Sequence, residues 1–311
     1  MTGAELPRGD LLVELHYALA EADSERPEDD VRARVMSTAV AARQPGEASD
    51  RPEHVSGTEV FRRAVEQLED LLAGLSEWDW KLPALRGLDV QGLVGHLIGI
   101  EMAFADALQK SGEPTQRDDH VAATQPTALG QAGRPFDLTR GDWSNVVHRS
   151  LTLLDEGHSP DEVLTYYGVT LPLDELLVVR AFELWIHEED IRRATGRPLA
   201  APEPARLARM AQLAVRMVPA GMARAGRDRP DRSARLVLIG PGGGTWDLRL
   251  DAPGRSLEGG RRADTRIVVD TAAFCRVVGN RENLAGTGAV VTGDTELAAD
   301  LFVGAGALAL D

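Results

Sequence analysis

The apolar residues of this chain change from helical to strand-like period near residue 233, and that change divides what the chain can fold into. From Thr58 to about residue 225 they recur at helical spacing; afterwards short runs alternate as in strands. The run TEVFRRAVEQLEDLLAGL puts Val60, Phe61, Val65, Leu68, Leu71 and Leu72 on one face. LDVQGLVGHLIGIEMAFADAL predicts a second helix capped by Asp89. DWSNVVHRSLTLLDEG predicts a third, capped by Asp142 and stopped at Gly157, after a polar, loop-like stretch over residues 111–140. The fourth begins near Pro172, in the first-turn position that proline favours, and ends at Gly196. Four such helices predict an antiparallel bundle over residues 57–200. PEPARLARMAQLAVRMVPAGMARAG is a connector helix. ARLVLIG and GTWDLRLD, separated by PGGG, predict a hairpin; TRIVVD a further strand; TAAFCRVVGN and TELAADLFVGAGAL two more helices. Residues 201–311 thus form a connector and a small α+β domain, and the fold class is α+β with more than one domain. Residues 1–56 are a helical extension with the linker QPGEASDRPEHVSG.

Charge and cysteine usage narrow the function classes. Forty-nine acidic against 34 basic residues give a net charge of −15, which disfavours nucleic acid and anionic membrane surfaces as partners. The first twenty residues do not read as a signal peptide, and no apolar run approaches the ~20 residues of a membrane span. Cys275 is the only cysteine, so there is no internal disulfide; it reads as a small buried hydrophobe in a cytoplasmic protein. Lys81 and Lys110 are the only lysines, a bias that points to a high-GC genome.

Glu183 and His187 are four residues apart on the fourth helix, so both face one side, ~5–6 Å apart at Cβ. With seven histidines among this many acids, about one such pair arises by chance, and Asp50 with His54 in the linker is another. Context separates them. Val178, Val179, Phe182, Leu184, Trp185 and Ile186 make the helix apolar nearly all round, and a buried carboxylate there needs a partner. That partner is either a metal ion or Arg180, three residues earlier. His96 lies on the second helix among Leu93, Val94, Leu97 and Ile98. It reads as a core histidine bonded to a carbonyl or as a third ligand. Three N/O ligands with open positions form the pattern of a catalytic metal site; zinc suits it first, and iron, nickel or manganese accept the same ligand types. His148 is either near the site or exposed, while His120 and His158 fall in loops and receive no role. Asp190 either orients His187 or joins Glu188 and Glu189 on a solvated face.

LVGHL followed by ELWIHEEDIRRATG resembles the DinB-like superfamily, in its mycothiol-dependent maleylpyruvate isomerase branch, and AFCRVVGNRENL with GAVVTGDTELAADLF resembles the end of that family's second domain. The resemblance spans residues 57–311. It implies a DinB-like four-helix bundle whose metal ligands fall on His96, Glu183 and His187, followed by a sterol-carrier-like domain. It also implies mycothiol as cofactor, an actinobacterial source, and an isomerase or thiol S-transferase acting on a small electrophile. Arg180 and Arg192, with Arg193 beside them, are thiol-binding candidates by proximity alone. One departure stands out: Leu88 occupies the place of the tryptophan usual before the helix-two histidine. The chemistry is coherent, since the bundle has no cysteine and a divalent ion can turn an external thiol into a thiolate near neutral pH. Two alternatives remain open: a non-catalytic metal-containing binding or regulatory protein, with residues 1–56 docking a protein partner, and a metal-dependent hydrolase.

Overall fold

The computed structural model describes residues 54–110, 120–250 and 263–309. The helices expected within residues 1–56 and the Asp50–His54 pair's acid lie outside them. Val55 is buried, and Ser56 caps helix α1 (Gly57–Ala73) by accepting a hydrogen bond from Glu59 N. The apolar stripe predicted for α1 is its buried face. Asp89 caps α2 (Val90–Gln109), its carboxylate accepting from Gly92 N at 2.7 Å; such a cap contributes about 1 kcal/mol.

The loop predicted over residues 111–140 is a finding in the other direction. His120–Leu129 form a helix, α3, despite Pro126 within it. It packs directly on α2, because Gly95 and Gly99 flank His96 on the facing side. A Cβ at Gly95 would lie 2.6 Å from Gln131 Cγ and 2.9 Å from Ala128 Cα. Helix α4 then begins at Phe136, well before the start that an Asp142 cap suggests, and runs to Asp155. Asp142 is no cap; it lies within α4 and pairs with Arg134 at 2.8 Å. Helix α5 (Leu173–Ala194) has Pro172 at its cap position rather than inside the first turn. Packing of α1 on α5, and of α2 on α4, makes the bundle.

Two hairpins precede α2 and α5. β1 (Pro83–Leu85) and β2 (Leu88–Asp89) turn at Arg86–Gly87, with φ of 50° and 78°; β3 (Val163–Tyr166) and β4 (Val169–Pro172) turn at Tyr167–Gly168, with φ of 45° and 75°. Two consecutive left-handed residues are the signature of a tight two-residue hairpin turn, and X-Gly is its sequence form.

Helix α6 (Pro204–Arg224) packs on both α5 and the C-terminal elements. There β5 (Ser233–Ile239) pairs antiparallel with β6 (Gly244–Arg249) and parallel with β7 (Thr265–Asp270), and β8 (Val290–Gly293) closes the order β6-β5-β7-β8. Alternate residues Ala234, Leu236, Leu238 and Ile267, Val269 are buried beneath α7 (Thr271–Val278) and α8 (Thr295–Gly306). Residues 52–311 form one compact unit, so bundle and sheet share a continuous apolar core. No helix among the described residues is long and apolar enough to cross a membrane.

Candidate metal centre

One nitrogen each of His96 and His187 and one oxygen of Glu183 all lie within 4.8 Å of one another, deep between α2 and α5. The two imidazole rings meet edge to face at 5.3 Å. Each histidine is turned by a partner on its Nδ1. Thr124 Oγ1 donates its single proton to the His120 carbonyl at 2.8 Å. It can therefore only accept from His96 Nδ1–H, at 2.6 Å. Asp190 Oδ2 accepts from His187 Nδ1 at 3.1 Å. Both rings are thereby assigned the tautomer that leaves the Nε2 lone pair directed at Glu183. Burial, followed by the neighbouring His187 and His120 and by Arg180, lowers the His96 pKa to about 2, so the ring is neutral at physiological pH. Burial opposes ionisation of Asp190 too, but hydrogen bonds from His187 and Arg281 bring it down to about 2.

Glu183 is held from one side only. Its Oε2 pairs with Arg180, whose other nitrogen donates to Glu101 Oε2 at 2.7 Å. Arg180 is fully buried between these carboxylates and the rings of Phe104 and Tyr166, which together with the acids keep it firmly cationic despite burial. The other oxygen, Oε1, is buried without a hydrogen-bond partner among the described residues. An unsatisfied buried carboxylate oxygen costs several kcal/mol, and here it lies beside two imidazole lone pairs. A divalent cation is the group that satisfies all three; the donor set fits it.

His120, which the sequence reading passed over, is buried with its ring 5.5 Å from that of His96 and its Nε2 3.7 Å from Glu183 Oε1. Tyr167, in its left-handed turn conformation, packs edge-on against it at 5.5 Å. The signals were present: His120, Thr124 and Ala128 recur at helical spacing, and the YYG and LRG tripeptides announce tight turns. Pro126 and the surrounding polarity masked them.

A partly open cavity of about 100 Å³ leads to this cluster from the junction of α5, α6 and the end of α7. His120, Glu183 and His187 line its inner end. Cys275 is elsewhere, buried, and burial pushes its thiol pKa up, so it offers no thiolate here.

Residues 61–192 match the family model of the mycothiol maleylpyruvate isomerase N-terminal domain. Two solved structures share the wider fold: the mycothiol-dependent maleylpyruvate isomerase and a point mutant of it. Both superpose with a TM-score of 0.53, at 15% and 16% identity, covering 76% and 74% of this chain and 91% and 90% of theirs. At that identity they establish the fold alone. No protein of curated function matches the sequence significantly.

The remaining residues around the cluster take these places. Arg192 donates to Glu188 Oε1 at 2.7 Å and to the Pro198 carbonyl, and Arg193 to Glu189; neither they nor Arg180 line the cavity. Glu188, Glu189 and Asp190 are not a solvated face. All three are buried, and Arg276 and Arg281, from the C-terminal elements, reach Glu189 at 2.7 Å and Asp190 at 2.8 Å. His148 is exposed and bonds to the Ser144 carbonyl, and His158 pairs with Glu162. Leu88 lines a separate small cavity beside His96.

Proposed function

We propose that this protein is a metal-dependent, zinc-preferring enzyme that uses a low-molecular-weight thiol, mycothiol, either to isomerise a small electrophile or to transfer the thiol onto it. The observation that carries the reading is the convergence of His96, Glu183 and His187 at the closed end of an otherwise apolar cavity, with Glu183 Oε1 left without a partner. The domain family and the shared fold support the thiol. Bound there, a divalent ion would lower the pKa of a thiol so that its thiolate is present near neutral pH.

The chain's own residues prepare that chemistry. Asp190 and Thr124 fix the two imidazoles so that no proton stands on the ligating nitrogens. Arg180 holds one oxygen of Glu183 and orients the other. The apolar walls exclude water, which keeps a thiolate poorly solvated and nucleophilic. His120, at the inner wall, is placed to touch whatever occupies the cavity.

Elemental analysis of purified protein tests the reading first: about one divalent ion per chain is expected, and its absence sinks the proposal. Thermal unfolding with mycothiol tests the cofactor. At a thiol concentration 100 times Kd the stabilisation is about 2.7 kcal/mol. Metal without any response to low-molecular-weight thiols would favour water as the nucleophile, hence a hydrolase. Metal with thiol binding but no turnover would favour a binding protein.

A further inference from the structure

The cavity leading to the cluster is walled by Val179, Phe182, Ile186, Leu213, Met217 and Val278, and among the described residues its polar lining is His120, Glu183 and His187. No described lysine or arginine side chain lines it. Buried Arg180 is spent on Glu101 and Glu183, and Arg281 on Asp190. Arg86, the other cation felt by His96, lines a separate cavity on the far side of that histidine, together with Leu88 and Thr124. Charge bookkeeping at the cluster is equally closed. One divalent ion, the Glu183 carboxylate and one thiolate sum to zero, which leaves nothing to offset an anionic substrate. Burying a carboxylate without a partner costs several kcal/mol, whereas apolar cavities of this scale (~150 Å³ in the best-studied case) take up neutral compounds such as benzene.

From this wall chemistry we infer that the electrophile is uncharged and largely apolar, and that dicarboxylates, the class to which maleylpyruvate belongs, are excluded from this cavity. The inference rests on the thiol-enzyme reading above. It separates this chain from its structural relatives at the level of substrate class, with the reaction type retained. For a neutral cis-enedioate diester the thiolate forms a C–S bond at one alkene carbon while the π pair moves onto the adjacent ester. Rotation about the resulting single bond follows, the π pair returns, and the C–S bond breaks to release the thiolate. Atoms and electrons balance with no other reactant.

Two matched pairs of compounds test it on the full-length, zinc-loaded chain. Turnover of dimethyl maleate and of maleate to their trans isomers is measured with mycothiol, each relative to the same thiol without protein. The diester's acceleration is expected to exceed the dianion's by at least about 100-fold; equal or greater acceleration of maleate overturns the inference. Binding of the unreactive pair, dimethyl succinate and succinate, is followed by ligand-observed NMR. Here the diester is expected to bind and the dianion not to bind at ten times its concentration; succinate binding as tightly as its diester overturns the inference. If neither maleate compound is turned over, the thiol reading has failed, and the succinate pair still decides the charge preference of the cavity by itself. Met217→Lys places a cation in the wall and is expected to raise succinate affinity at least tenfold. An unchanged affinity would show that the wall does not set the charge preference.

Discussion

Two stretches of α5, one turn apart, both bury acidic residues and handle them in opposite ways. Glu189 and Asp190 are saturated on both oxygens, the first by Arg193 and Arg276, the second by Arg281 and His187, while Glu188 takes Gln67 and Arg192 on its Oε1. Glu183 is half served, with Arg180 on one oxygen and no hydrogen bond to the other, which has His120 Nε2 at 3.7 Å. Saturated buried acids act as glue between the bundle and the C-terminal elements, since their charges are compensated within the protein. A half-served acid beside two aimed imidazoles is a place for an ion that the protein does not itself supply. Asp190 joins the two stretches, because it takes Arg281 with the same carboxylate that orients His187.

The contrast is open to attack by mutation. The largest effect is expected from His187→Ala, which should drop metal content from about one ion to a small fraction of one per chain, a loss of affinity well beyond 100-fold; retained stoichiometric metal would erase the distinction between the stretches. Arg276→Ala, on the glue side, should cost about 3 kcal/mol in urea unfolding by leaving buried Glu189 undercompensated, with metal content unchanged. Asp190→Asn should fall between, weakening metal binding by roughly 10–100-fold as read by chelator competition, and also loosening the Arg281 contact.

A pH effect sharpens the same contrast. In metal-free protein His96 stays neutral in the folded state down to about 2, whereas in the unfolded chain it takes up a proton near its ordinary 6.5. The unfolded state therefore binds more protons between these values, and stability falls as pH drops below about 6.5, by up to ~1.4 kcal/mol per pH unit. Asp190 adds a loss only below its ordinary 3.8. Urea midpoints at pH 7 and 5 should show this decline in the wild type and a much weaker one in His96→Gln. The smallest effect belongs to His148→Ala. That residue is exposed on α4, and its loss should move stability by no more than about 0.5 kcal/mol and leave metal content alone.

Much of the architecture was legible from local pattern. The switch from helical to strand period, the Asp89 cap, the extent of α1, α2, α5 and α6, and the β5–β6 hairpin follow from side-chain spacing and turn residues within a few positions. So does the Glu183–His187 pair, because four residues along a helix place two side chains on one face whatever surrounds them. His96 was legible as a polar residue on an apolar helix face, with a third ligand to that pair as one of its two readings, and the fold brings the three together.

Tertiary structure decided which buried acids are satisfied. In one dimension EED after His187 looks like a solvated face, because its decisive arginines come roughly ninety residues later, at 276 and 281. In the same way α3 closes on α2 through the Gly95–Gly99 surface and brings Thr124 and His120 to His96, contacts that no periodicity encodes. The apolar wall of the cavity is assembled from α5, α6 and the end of α7, so its charge preference also exists only in the folded chain. Periodicity reports what each residue does within its own element; whether a buried charge is compensated depends on which distant side chain reaches it at low dielectric, and only packing determines that.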